Sequence, residues 1–256
     1  MEIIWLGTAG FKIQTGKACF FLDPFVSRNL RAFPVQPLSP KDLGSMAHVF
    51  LSHGHFDHAG DLPRIRPRRI YCSTPVGKNL AKKGISPPSL VLADRDGWSV
   101  AAKGFRAQAF FSRHIRFDPA MVAKRIPQVA PHLFSCLKLL AAWPKGRVLS
   151  WRFMLENRVI HFFGSGGSDR TELKRLAQIG RPDLLLIPLQ GHTRIYDVAA
   201  RYVQILRPKA VIPHHWDDFF PPVSRQRDLG PFVRDISRTS PGTQIILPRI
   251  NQPVRF

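Results

Sequence analysis

Three imidazoles and one carboxylate fall within six consecutive positions, His53-Gly54-His55-Phe56-Asp57-His58. The cluster follows an apolar run ending at Leu51, so it belongs to a loop leaving the end of a strand. Such a loop commits the surrounding chain to a sheet that can present it. In an extended or tightly turning segment, residues two apart point to the same side. His53 and His55 therefore share a face, while Asp57 and His58 come after the turn and can reach a second point a few ångströms away. Neutral imidazole and carboxylate are the donors of Zn²⁺, and also of Fe or Mn.

The rest of the chain supplies strands in the required number. Glu2–Leu6, Phe11–Thr15, Ala18–Leu22, His48–Ser52, Arg69–Ser73 and Phe105–Ser112 are short β-branched or aromatic runs bounded by Gly, Pro or Asp. Pro75–Lys83 reads as a helix. In the second half, Arg147–Leu155 and Arg158–Gly164 form a hairpin, and Ser168 caps a helix through Ile179. Asp183–Leu189, Ala210–His214 and Thr243–Leu247 read as strands; Tyr196–Leu206 and Arg225–Ser237 read as helices. Sheets followed by helices in each half predict an α+β fold, a four-layer αββα sandwich. The 256 residues suffice for one large domain, 1–256, and no repeat or Gly/Ser linker divides them. Residues 118–145, with four prolines around the apolar stretch Leu133–Trp143, read as a helical insertion: a lid, a pocket wall or a cover for a sheet edge.

Charge and cysteine usage bound the setting. Lys and Arg number 38 against 17 Asp and Glu, a formal +21, which favours anionic partners. A small anionic substrate and nucleic acid both fit, as does a merely solvated basic surface. Arg64, Arg66, Arg68 and Arg69 cluster just after the histidine loop and suit a phosphate. Three scattered cysteines form no CxxC pair, and the N-terminus has no signal-peptide pattern, so a reducing cytoplasmic location is expected. No apolar stretch approaches the roughly 20 residues of a membrane span. An oligomer is compatible with all of this.

The histidine loop, the opening Trp5-Leu6-Gly7-Thr8-Ala9-Gly10-Phe11 with Leu22-Asp23-Pro24-Phe25, and the later Gly191-His192-Thr193 and Ala210-Val211-Ile212-Pro213-His214-His215-Trp216 resemble the metallo-β-lactamase fold superfamily. Within it, the likeness is to the UlaG-like metal-dependent hydrolases, which include an ascorbate-phosphate lactonase, and to the N-acyl-phosphatidylethanolamine phospholipase D type. The resemblance implies the same αββα sandwich and two adjoining metal sites. It places His53, His55 and His114 in the first, and Asp57, His58 and His215 in the second. His214 competes with His215, but adjacent strand residues face opposite ways, so only one reaches the metal. The resemblance also implies that Asp23 supports the histidine loop, that Asp57 orients or deprotonates the attacking water, and that His192 faces the pocket to orient substrate or carry a proton. Asp217 and Asp218 lie near His215 as further supports.

The chain departs from this pattern at one point. The bridging Asp of a Gly-Asp-x-Gly turn is replaced by Ser165 in Gly164-Ser165-Gly166-Gly167. A neutral hydroxyl supplies no bridging charge. His161 lies about 13 Å away along an extended strand, and Asp169 falls in the start of the next helix. The expectation is one or two Zn ions, with Mn or Fe as alternatives. The expected activity is cleavage of an ester, lactone or phosphodiester bond in a phosphate-bearing substrate. A nuclease, and a non-catalytic metal-binding sensor that has lost turnover with the bridging Asp, stand as alternatives.

Overall fold

Short apolar runs separated by Gly, Pro and Asp fold, among the described residues, into two seven-stranded sheets. The structure, a computed structural model, describes residues 1–44 and 46–256. The first half contributes β1 (Glu2–Gly7), β2 (Gly10–Gln14), β3 (Cys19–Leu22), β4 (His48–Phe50), α1 (Phe56–Ala59), α2 (Leu62–Ile65), β5 (Arg69–Cys72), α3 (Thr74–Lys82) and β6 (Leu90–Leu92). It is followed by β7 (Trp98–Ala102), β8 (Phe105–Ser112), α4 (Pro119–Val129), α5 (Leu133–Ala142), β9 (Val148–Leu155), β10 (Arg158–Phe163), α6 (Arg170–Ile179), β11 (Leu184–Pro188), α7 (Ile195–Leu206), β12 (Ala210–His214), α8 (Gly230–Thr239), β13 (Gln244–Ile245) and β14 (Pro253–Arg255).

The sheets run β14-β1-β2-β3-β4-β5-β6 and β13-β12-β11-β10-β9-β8-β7. Each is antiparallel over its hairpin-connected strands and parallel beyond, from β3 in the first and from β10 in the second. The β9–β10 hairpin turns on Glu156 and Asn157, with φ of 48° and 59°. Two left-handed central residues give the turn whose twist matches its strands. Parallel neighbours need crossovers, and α6 and α7 supply them after β10 and β11.

Four layers follow from where the apolar faces point. Trp5, Phe11 and Phe20 of the first sheet meet Phe105, Trp151, Phe153 and Phe162 of the second in the central core. Leu184 and Leu186 face that core, while Leu185 and Ile187 turn outward onto Leu176, Tyr202 and Val203 of the covering helices. This two-sided burial is why the strand reads as a continuous apolar run. Val49, Leu51 and Ile70 pack outward against Val76 and Leu80 of α3. The expected αββα sandwich is the observed fold.

Beyond shifts of a residue or two at strand ends, local details differ at the start of α6, at the start of the last helix and at the C-terminal strands. The N-cap of α6 is Asp169, whose carboxylate accepts the Glu172 N–H at 2.9 Å; Ser168 instead donates its hydroxyl to the Glu172 carboxylate at 2.6 Å. The last helix begins at Gly230 and not at Arg225, with Pro231 in its first turn, where a missing N–H costs nothing. The last expected strand shrinks to β13, and β14 returns to close the first sheet beside β1.

Candidate metal centre

The strand ends gather the site. Gly54 N–H donates to Lys145 O at 2.9 Å, and a Cβ on Gly54 would lie 2.5 Å from Pro144 O, so only glycine allows this approach. The loop after β4 thereby turns sharply, and His53 Nε2 comes within 3.2 Å of His55 Nδ1. His114 arrives from the end of β8, its ring centroid 5.0 Å from that of His53 and 4.7 Å from that of His55. Donor atoms of all three lie within 4.8 Å of one another. The turn after β10 packs tightly on this segment: Gly167 N–H donates to Arg113 O at 3.1 Å, and a Cβ there would fall 2.3 Å from the His114 carbonyl.

Asp57, His58 and His215 form a second group on the same scale. Asp57 and His58 lie in α1, which starts directly after His55. His215 Nε2 stands 3.2 Å from Asp57 Oδ2, and His58 Nε2 stands 3.6 Å from it. The choice between the paired histidines is made by the backbone. His214 stays in β12, fully buried, and its Nε2–H donates to Phe163 O at 3.1 Å among Phe11 and Phe162. His215 takes a left-handed φ of 56°, which turns its ring toward Asp57.

Supporting hydrogen bonds fix which nitrogens carry lone pairs. Asp23 accepts the Ser52 N–H at 2.7 Å, the Ser52 hydroxyl in a very short bond, and His58 Nδ1–H at 2.6 Å. With its proton on Asp23, Ser52 Oγ accepts from His53 Nδ1–H at 2.9 Å. His114 Nδ1–H donates to Ile115 O at 2.8 Å. His53 and His114 thus each keep Nε2 free, the arrangement by which outer partners orient metal-binding imidazoles, whereas burial of His58 is outweighed by Asp57 and Asp23, which raise its pKa. Burial, then neighbouring imidazoles, pushes the His53 pKa well below its ordinary value. Burial brings His55 down to about 4 against the pull of Asp57. Burial also lowers His114. Asp57 is buried, which opposes its charge, yet His58 and His215 outweigh this and hold it ionised. Three imidazoles that favour the uncharged form, beside an ionised carboxylate, fit a divalent transition ion.

The turn at Gly164–Gly167 brings no carboxylate to these groups. Ser165, buried and on the cavity wall, accepts the Ile115 N–H at 3.0 Å. Asp169 caps α6 and pairs with Arg113 at 2.7 Å. His161 lies against Ser150 Oγ at 3.2 Å in the core. His192 does not take the expected pocket-facing place. Its Nδ1 accepts the Arg194 N–H at 2.9 Å, the local turn having folded it back toward Asp118, and it is absent from the lining of the cavity. Arg64 and Arg69 are spent on Ser27 and on Pro88 O, away from the site.

A second support was only half legible in the sequence. Asp217 accepts the Thr8 N–H at 2.9 Å and pairs with the buried Arg28, while His215 N–H donates to Thr8 O at 2.8 Å. Asp217 had a signal in its closeness to His215. Arg28, 189 positions away in sequence, had none. The cavity over the histidines has a volume of about 220 Å³, with Ile115, Phe117, Leu140 and Phe219 among its apolar walls.

An αββα sandwich with a histidine and carboxylate cluster at its strand ends is the architecture of metallo-hydrolases, and the comparisons agree. The profile described as "Beta-lactamase superfamily domain" matches residues 19–216. The chain belongs to this family. A UPF0173 metal-dependent hydrolase of Polaromonas sp. is 26% identical over 227 residues, 84% of this chain and 77% of that one. Among solved structures, an isothiocyanate hydrolase from Delia radicum gut bacteria superposes with a TM-score of 0.71 at 14% identity, covering 100% of this chain and 99% of its own. Igni18, a metallo hydrolase from Ignicoccus hospitalis, superposes with 0.70 at 16% identity, covering 100% and 97%.

Proposed function

We propose that the protein hydrolyses an ester, lactone or phosphodiester bond in a small anionic substrate, with a zinc ion held by His53, His55 and His114. It is a metal-dependent hydrolase of the β-lactamase superfamily. The observation that carries the reading is the convergence of three neutral imidazoles, their donor atoms within 4.8 Å, at the floor of an apolar-walled cavity. A divalent ion bound there supplies Lewis-acid polarisation and activates water near neutral pH. Mn or Fe suits the same donors.

Asp57 is the general base in this reading. Its carboxylate is kept ionised by His58 and His215, and Oδ2 takes a proton from the attacking water. Ile115, Phe117 and Phe219 keep bulk water from the reacting bond. Ser165 in place of a bridging carboxylate leaves the Asp57, His58 and His215 group with the weaker hold on a second ion. Unpaired Cys19, Cys72 and Cys136 support a reducing compartment such as the cytoplasm.

The same Ser165 favours a second reading, a metal-binding sensor without turnover. Elemental analysis of the purified protein, beside a panel of ester, lactone and phosphodiester substrates, separates the two. About one metal per chain with turnover supports the hydrolase, and metal without any turnover supports the sensor. His55→Ala is expected to remove metal and activity together; activity kept by a metal-free variant would refute the mechanism.

A further inference from the structure

The helices α4 and α5 bury no side chain. Beneath them lies a second cavity of about 510 Å³, walled by Val122, Ile126, Leu133, Leu137 and Val223. Phe117, Cys136, Leu140, Gly191 and Phe219 line both this cavity and the one over the histidines, so the two adjoin. An apolar surface of this kind, reaching away from the metal centre, suits a flexible hydrocarbon segment.

One charged side chain interrupts the apolar lining. Arg125 of α4 faces the second cavity, and its Nη1 is buried with no hydrogen-bond partner. Burial, followed by the like charges of Arg225 and Arg227, weakens its hold on its proton, and Asp218 offsets this only in part. Asp218 already accepts the Ser224 hydroxyl. Arg227 Nε is also buried without a partner. Among the described residues, no ion pair is formed by Arg125, Arg225 or Arg227. A buried guanidinium N–H left unpaired is costly, and Arg125, the charged residue on the cavity wall, has Arg225 and Arg227 beside it and Asp218 as the opposing charge.

We propose that this second cavity is a binding site for the anionic end of an amphiphilic substrate, in which a hydrocarbon segment separates the bond cleaved over His53, His55 and His114 from an acidic group bound by Arg125. This deepens the hydrolase reading and rests on it for the cleaved bond, but the Arg125 site can be tested by binding alone. Arg125 is the contact for the acidic group, Arg225 and Arg227 add charge, and Leu137, Leu140 and Val223 enclose the hydrocarbon.

The test is calorimetric titration of the metal-loaded protein with α,ω-dicarboxylates of about six to twelve carbons, each against the monocarboxylate of equal length. One member of the dicarboxylate series is expected to bind about tenfold more tightly than its monocarboxylate, the value of one charge-assisted contact. Arg125→Gln is expected to abolish that advantage and Arg125→Lys to keep part of it. Leu140→Asp, at an exposed helix position, is expected to weaken both probes. Equal binding of the two series by the native protein, or an advantage that survives Arg125→Gln, overturns the proposal. An intact dicarboxylate advantage in a protein that turns over no ester, lactone or phosphodiester leaves the Arg125 site standing and removes the hydrolase reading instead.

Discussion

Around His53, His55 and His114, each imidazole is set by a neighbouring side chain, carbonyl or ring, and the loops carrying them pack so closely that Gly54 and Gly167 have no room for a Cβ. In α4 and α5, directly above, Phe134 is 82% exposed and Leu133, Leu137 and Leu140 are each at least half exposed. The first region spends its residues on holding donor atoms in place. The second spends its apolar surface on a cavity instead of a core. Rigid support under a metal site preserves its geometry, while a wall that buries little can open and close at small cost. The contrast separates a rigidly braced donor cluster from a loosely packed apolar wall.

Substitutions should fall on either side of that contrast by size. Asp23→Asn removes the carboxylate shared by Ser52 and His58 and is expected to lower metal affinity about 10- to 100-fold, measured by competition with a chelator. A change within twofold would mean that the loop holds its own geometry without this support. Ser165→Asp adds a carboxylate on the wall of the cavity that holds both donor groups and is expected to raise metal content from about one toward about two per chain, read by elemental analysis. Unchanged content would show that Ser165 is not what limits the second group.

A smaller effect tests the rigid region away from any donor. Burial holds the His161 pKa down to about 3, with Arg152 adding to the shift. Because the folded value lies below the unfolded one of about 6.5, the neutral ring contributes stability that is fully present above pH 6.5 and is lost as pH falls toward 3. His161→Phe is therefore expected to flatten the decline of the urea midpoint across that window relative to the native protein. An equally steep decline in the variant would assign acid sensitivity elsewhere. The smallest effect belongs to the exposed pair: Phe134→Ser should change stability by no more than about 0.5 kcal/mol. A loss of several kcal/mol in chemical denaturation would show that α5 is packed more firmly than its exposure implies.

Much of the architecture could be read from local pattern. Strands in the first half were legible because period-2 burial and turn residues are local properties, and β8 was read with both its ends. The short edge strands β6, β7 and β14 were not, since their pairing depends on neighbours far along the chain. The metal-binding character of His53-Gly54-His55-Phe56-Asp57-His58 was equally local. The place of His192 was not: a hydrogen bond within its own turn, together with Asp118 from α4, decides it.

The sequence alone determined the αββα class, the histidine loop and the missing carboxylate at Ser165, because apolar periodicity and donor identity are written residue by residue. Only the tertiary structure decided that His215 and not His214 faces Asp57, that Arg28 and Asp217 brace the Thr8 segment against it, and that Arg125 is left unpaired above an apolar cavity. Those outcomes depend on backbone twist at single residues and on contacts between segments distant in the chain. Neither leaves a local pattern to read.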